Sequence, residues 1–208
     1  MSDNKARNIL IVGVGGQGTL LASKVIGRLA LMRGYDVKVS EVHGMSQRGG
    51  SVVTYVKYSS GVASPLIEPV GADIMIAFEL LEAARWLDYL KPGGMAVVNE
   101  QQIDPMPVIT GAARYPDGLI GMIREKCAGA VIADALSVAV DCGSTRSVNF
   151  VLLGAAAVYL DFPIDDWIAS IRETTPPRAL DVNLAAFSAG VRIGEMHKSG
   201  KNTEGGRP

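Results

Sequence analysis

The sequence predicts an α/β protein, a three-layer α/β/α, Rossmann-like domain with a mixed sheet and a helical C-terminal part. Three observations carry this. An apolar run at 9–12 passes through Gly13-Val14-Gly15-Gly16-Gln17-Gly18 into a segment with apolar residues at Ala22, Val25, Ile26, Leu29 and Met32, the pattern of buried strand, tight turn and helix. Two strand-like segments at 35–42 and 51–58 are joined by a loop of about eight residues, too short for a helical crossover, so they meet antiparallel. From Ser147 onward the pattern is helical.

Taken in order, residues 9–12 lack alternation, as a strand covered on both faces does. Gly34 is placed to stop the first helix. Residues 37–42 alternate, and 51–58 are rich in β-branched and aromatic side chains, both strand signals. Ser64-Pro65 to Glu68-Pro69 reads as an extended connection. Residues 72–78 form a buried strand and 79–90 a helix, ended by the turn Lys91-Pro92-Gly93-Gly94. A strand at 95–99 follows, then an irregular segment at 101–116 with a short strand expected around Val108-Ile109. Asp117 is placed to cap a helix through Cys127, and 130–133 is a last strand ending at Asp134. Residues 148–160 are apolar almost all round, which in a segment of this length marks a buried helix. Further helices are expected at 163–174, before Pro176-Pro177, and at 179–196. Residues 1–196 thus read as a single domain, and 197–208, polar with Gly and Pro, as a disordered tail.

Composition narrows the function. With 208 residues, one well-buried core is expected. The 20 basic and 21 acidic side chains nearly balance, so neither nucleic acid nor an anionic membrane is an expected partner. No apolar run approaches the roughly 18 residues of a membrane span, and the start has no apolar signal-peptide core, so the expected location is cytoplasmic. Two cysteines, Cys127 and Cys142, cannot hold a four-cysteine cluster, and with His43 and His197 the only histidines no metal site is expected.

Two motifs carry chemistry. In the first, Gly13 permits a sharp turn, Gly15 a close backbone approach, and Gly18 close helix packing; with Gly16 and Gln17 they form a candidate anion-binding turn at a helix N-terminus. A dinucleotide site also wants an acid about 20 residues on, and Glu41 stands near that place. The same turn arises wherever a strand passes tightly into a helix. The second motif is the loop His43-Gly44-Met45-Ser46-Gln47-Arg48-Gly49-Gly50. Gly44, Gly49 and Gly50 permit a backbone nest for an anion, Arg48 adds a fork of donors, and Ser46 and Gln47 add neutral hydrogen bonds; a tight connection satisfying its own backbone is the plainer reading. A hydrolase pairing His43 with Ser46 or Ser51 lacks the G-x-S-x-G elbow.

Together, residues 13–18 and 41–51 resemble the gamma-type subunits of 2-oxoacid:ferredoxin oxidoreductases. Ser64 to Ile67, Ala72-Asp73, Ala77-Phe78-Glu79, Glu82-Ala83, Asn149, Leu153-Gly154-Ala155, Asn183, Ala186-Phe187 and Gly190 extend the resemblance over about residues 8–192. Within that family the branch resembled acts on indolepyruvate and related arylpyruvates. The resemblance implies a pyruvate/ketoisovalerate oxidoreductase gamma-type domain. It serves an enzyme that decarboxylates a 2-oxoacid oxidatively with coenzyme A, giving acyl-CoA, carbon dioxide and reduced ferredoxin. It further implies that thiamine diphosphate and [4Fe-4S] clusters sit on a larger partner subunit, that coenzyme A is a co-substrate, and that this chain binds no cofactor alone. The isolated chain is then expected to be inactive and to self-associate, with ferredoxin reached only through the complex. The loop 43–50 is expected to face the partner's active site or the coenzyme A path. No catalytic residue is assigned. The competing reading is a stand-alone NAD- or FAD-binding Rossmann oxidoreductase with Glu41 on the ribose.

Overall fold

In the computed structural model, which describes residues 6–43 and 50–204, β1 (Arg7–Val14) lies at the centre of the sheet. Ile9 and Ile11 point to one face and Leu10 and Val12 to the other, and all four are fully buried; hence the run without alternation. The other strands are β2 (Asp36–His43), β3 (Ser51–Ser59), β4 (Ala72–Ala77), β5 (Leu90–Asn99) and β6 (Val131–Ala133), in the order β2-β3-β1-β4-β5-β6. β3 runs antiparallel to both neighbours, from Arg7↔Tyr58 to Val14↔Ser51 with β1 and from Asp36↔Ser59 to His43↔Val52 with β2. β1, β4, β5 and β6 are parallel. The sheet is mixed, as the short connection requires.

Helices cover both faces. α1 (Thr19–Met32) leaves the glycine-rich turn; α2 (Leu80–Trp86) follows β4; α3 (Met106–Ile109) is a single surface turn; and α4 (Leu119–Lys126) precedes β6. α5 (Ala135–Asp141), α6 (Val148–Ala157), α7 (Ile164–Thr174) and α8 (Pro177–Glu204) complete the chain. α2 and α4 pack on the face of Leu10 and Val12, and α1 and α5 to α8 on the face of Ile9 and Ile11. All ten residues of α6 are buried, so its all-round apolarity is used within this chain. Trp167 of α7 stacks on Phe187 of α8 with ring centroids 5.7 Å apart, and Ser170 Oγ donates to the Val25 carbonyl of α1 at 2.7 Å.

α6 and α8 cross at glycines. A Cβ on Gly154 would lie 2.1 Å from the Phe187 carbonyl oxygen, and one on Gly190 would lie 2.0 Å from the Val151 carbonyl oxygen. The two backbones touch there, so no side chain fits.

Several expected boundaries move. The helix at 79–90 stops at Trp86, and a 3₁₀ turn at Leu87–Tyr89 leads directly into β5. Lys91 to Gly94 do not end the helix. They bulge out of β5, because Ala72 pairs with Leu90 but Ile74 with Met95, and the Lys91 ammonium holds the bulge on Asp73 at 2.8 Å. Val108-Ile109 is helical in α3, where Pro105 precedes the turn and Pro107 sits in it, a place that suits proline. Gly118, with φ of +73°, caps α4 instead of Asp117. Asp134 does not merely end β6 but caps the unforeseen α5, its carboxylate accepting from the Ser137 N–H. α8 continues past Met196 to Glu204, so the segment expected to be a disordered tail is helical that far. Residues 205–208 lie outside the described residues.

Candidate functional site

The carboxyl end of β1 and the start of β3 bring the first motif to one edge of the sheet. Gly13 must be glycine because a Cβ would stand 2.9 Å from both Phe78 Cβ and Gln17 Oε1. Gly16 and Gly18 have φ of +99° and +91°, a region costly for any residue with a Cβ. Gln17 folds back into the turn. Its Oε1 accepts from the Val14 N–H at 2.7 Å, and its Nε2 donates to the Phe78 carbonyl at 3.0 Å. The Gly15 N–H donates to the Gly50 carbonyl at 2.9 Å, which ties the turn to the foot of β3.

Of the second motif, Gly44, Ser46, Gln47, Arg48 and Gly49 lie outside the described residues. Its anchors are described: His43 ends β2 paired to Val52, and Gly50 leads into β3. Both ends therefore leave from the edge that carries the glycine-rich turn.

Glu41 does not stand on the strand next to β1, where a dinucleotide-binding unit carries its acid. In a nucleotide-binding unit the second strand lies beside the first; here antiparallel β3 intervenes, so Glu41 sits two strand spacings from β1, roughly 10 Å. Its carboxylate accepts from Thr54 Oγ1 at 3.0 Å.

Beside the turn, the edge holds two buried acids that composition alone did not single out. Glu79, 1% exposed, accepts the Glu82 N–H at 2.8 Å and the Ile103 N–H at 3.1 Å, and takes a hydrogen bond from Tyr115 Oη. Glu82, 5% exposed, accepts from Ser51 Oγ and lies 3.5 Å from the Arg85 guanidinium. Burial pushes the Glu82 carboxyl above its ordinary range near 4.5, against the pull of Ser51 and Arg85 and with the nearby Glu79 charge adding to the rise. A raised carboxyl favours the folded state in its neutral form. That contribution is complete below the ordinary value and is lost as pH climbs through the raised one. Glu82→Gln should therefore flatten the decline in melting temperature as pH rises above the ordinary carboxyl value of 4.5; parallel pH profiles for variant and wild type would contradict this.

Two recesses flank the glycine-rich turn. One of about 390 Å³ is lined by Gly15, Gly16, Gly18, Thr19, Leu20, Glu41 and Val52. The other, about 480 Å³, lies between Gly16, Gln17 and Gly18 on one side and Thr145, Arg146 and Asn149 on the other, with Gln101 at its margin. A larger recess of about 780 Å³ opens at the far edge of the sheet, beside the Lys91 to Gly94 bulge and Cys127, away from both motifs. Arg146 and Gln101 were not legible as site residues. Asn149 gave a faint signal, as the one polar side chain in the first turns of an apolar helix.

Residues 8–193 match the family described as pyruvate ferredoxin/flavodoxin oxidoreductase. The indolepyruvate oxidoreductase subunit IorB of Thermococcus kodakarensis is 41% identical over 193 residues, covering 90% of this chain and 96% of that protein. The keto/oxoacid ferredoxin oxidoreductase gamma subunit of Geobacter sulfurreducens PCA superposes with a TM-score of 0.67 at 21% identity, covering 91% of this chain and 99% of that one. The 2-oxoglutarate:ferredoxin oxidoreductase of Magnetococcus marinus superposes with a TM-score of 0.71 at 22% identity, covering 93% of this chain but 32% of that one.

Proposed function

We propose that this chain, which belongs to the pyruvate ferredoxin/flavodoxin oxidoreductase family, is the small subunit of an oxidoreductase that converts indolepyruvate and related arylpyruvates. The reaction is oxidative decarboxylation with coenzyme A, giving acyl-CoA and carbon dioxide while two electrons pass to ferredoxin. The observation that carries this reading is the 41% identity to the indolepyruvate oxidoreductase subunit, sustained over nearly the whole of both chains. A stand-alone dinucleotide enzyme finds no support among these relatives, and β3 occupies the place beside β1 where such a fold has the strand that carries its acid.

The chemistry of the 2-oxoacid belongs, in this reading, to thiamine diphosphate and [4Fe-4S] clusters on a larger partner subunit. This chain completes that enzyme as one domain. The match to about a third of a longer oxidoreductase chain fits a fold that works joined to other parts. The edge carrying Gly13 to Gly18 and the ends of the loop from His43 to Gly50 is assigned to face the partner's active site or the path of coenzyme A. His43, Gly44, Ser46, Gln47, Arg48, Gly49 and Gly50 are its proposed contacts.

In the reconstituted complex, kcat/KM for indolepyruvate should exceed that for pyruvate or 2-oxoglutarate by more than about tenfold, a difference of about 1.4 kcal/mol in transition-state binding. Equal values would overturn the substrate assignment. Arg48→Ala should raise the KM for coenzyme A while leaving assembly intact. An unchanged KM would remove Arg48 from the co-substrate path.

A further inference from the structure

The recess of about 480 Å³ beside the glycine-rich turn has a donor set that neither the turn nor its helix explains alone. Asn149 is 2% exposed. Its Oδ1 accepts the Phe150 N–H at 3.1 Å, which fixes the amide so that Nδ2 is the free end. Nδ2 stands 3.2 Å from the point a Cβ on Gly18 would occupy, lines the recess, and donates to no acceptor among the described residues. Nδ2 is not sealed from solvent, and it offers the recess a hydrogen-bond donor held in place by the bond at Oδ1.

The neighbouring groups carry the same polarity. Gln101 Oε1 is used twice, by Gln17 Nε2 at 3.3 Å and Asn99 Nδ2 at 3.2 Å, which turns the Gln101 amide nitrogen away from that network. The Arg146 guanidinium makes no ion pair among the described residues. Thr145 adds a hydroxyl, and α1 points its N-terminus at the recess from Gly18. No Asp or Glu is among the lining residues, whose apolar members are Leu21, Ile103, Leu136 and Val148.

We infer that this recess is a binding site for a phosphate-ester anion, its phosphate held by Asn149, Arg146 and the turn at Gly16 to Gly18 and its organic part lying on Leu21, Leu136 and Val148. The site is a property of this chain alone. It deepens the proposed role of the glycine-rich turn, yet its test does not depend on assembly with a partner, so failure of one leaves the other standing.

The test is titration calorimetry of the full chain with phenyl phosphate, inorganic phosphate and acetate. Phenyl phosphate should bind saturably with a Kd below about 1 mM, at least fivefold tighter than inorganic phosphate, and acetate more weakly than either. Arg146→Ala, on an exposed side chain, should weaken phenyl phosphate binding at least tenfold, and Asn149→Ala should do the same provided that it folds. Arg172→Ala, which removes an exposed cation from α7, should bind as wild type does. No binding by the wild type, equal affinity for acetate, equal affinity for inorganic phosphate, or unaltered binding by Arg146→Ala would each overturn the assignment. Equal weakening by Arg172→Ala would overturn it too, since the effect would then be one of net charge.

Discussion

Gly190→Ala should leave little folded protein at physiological temperature, with a loss of more than about 3 kcal/mol, beyond the ordinary range for an added methyl group in a core. The added Cβ would sit 2.0 Å from the Val151 carbonyl oxygen and 3.0 Å from the Ala155 nitrogen. Both are backbone atoms of a fully buried helix, so no rotamer change relieves the overlap and α8 must move off α6. The movement would open the packing of Phe187 on Trp167 and loosen the layer that covers Ile9 and Ile11. Gly154→Ala meets the same obstacle from the other side and should behave alike. Denaturant unfolding followed by circular dichroism checks both, and a midpoint within experimental error of wild type for Gly190→Ala would show that the two helices do not cross so closely.

Glu79→Ala should be the second large loss, about 2–4 kcal/mol from a missing helix cap and stranded donors. One carboxylate caps α2 through the Glu82 N–H and also accepts from the Ile103 N–H and from Tyr115 Oη. Alanine leaves those donors without an acceptor in a place water barely reaches. Tyr115→Phe removes one of them and should cost less, about 1 kcal/mol. If Glu79→Ala loses less than Tyr115→Phe in chemical denaturation, the carboxylate is not the hub that its contacts describe.

These two positions show what a sequence can and cannot tell about this fold. Gly190 and Gly154 stood out only through family resemblance, because a helix–helix crossing leaves no local signal beyond a small residue in an apolar stripe. The antiparallel pairing of β2 with β3 was legible, since an eight-residue loop between strands has one geometric solution; the insertion of β3 beside β1 was not. The bulge at Lys91 to Gly94 was not, because Pro and Gly signal a break in the chain without saying whether the strand has already begun. α5 was hidden for a similar reason. It is short, and Asp134 reads equally well as a strand end and as a cap.

The site divides in the same way. The glycine-rich turn was readable as a tight passage from strand to helix, but the positive φ of Gly16 and Gly18 was not. Gln17 turned out to fill the turn with its own side chain, a tertiary arrangement that depends on Phe78 across the sheet. Gln101 and the neighbours Arg146 and Asn149 come from two separate segments and meet the glycine-rich turn only after folding. The loop anchored by His43 and Gly50 was found by its composition, and the position of its two ends at the same edge as the turn follows from the register of β3 with β2 and β1.

The measurement that bears most directly on the account is anaerobic dye reduction dependent on indolepyruvate and coenzyme A, run in three parallel reactions. They contain this chain alone, the larger thiamine- and iron–sulfur-bearing subunit alone, and the two together. An obligate small subunit gives turnover only in the mixture. Full turnover by the larger subunit alone, unchanged when this chain is added, would contradict it.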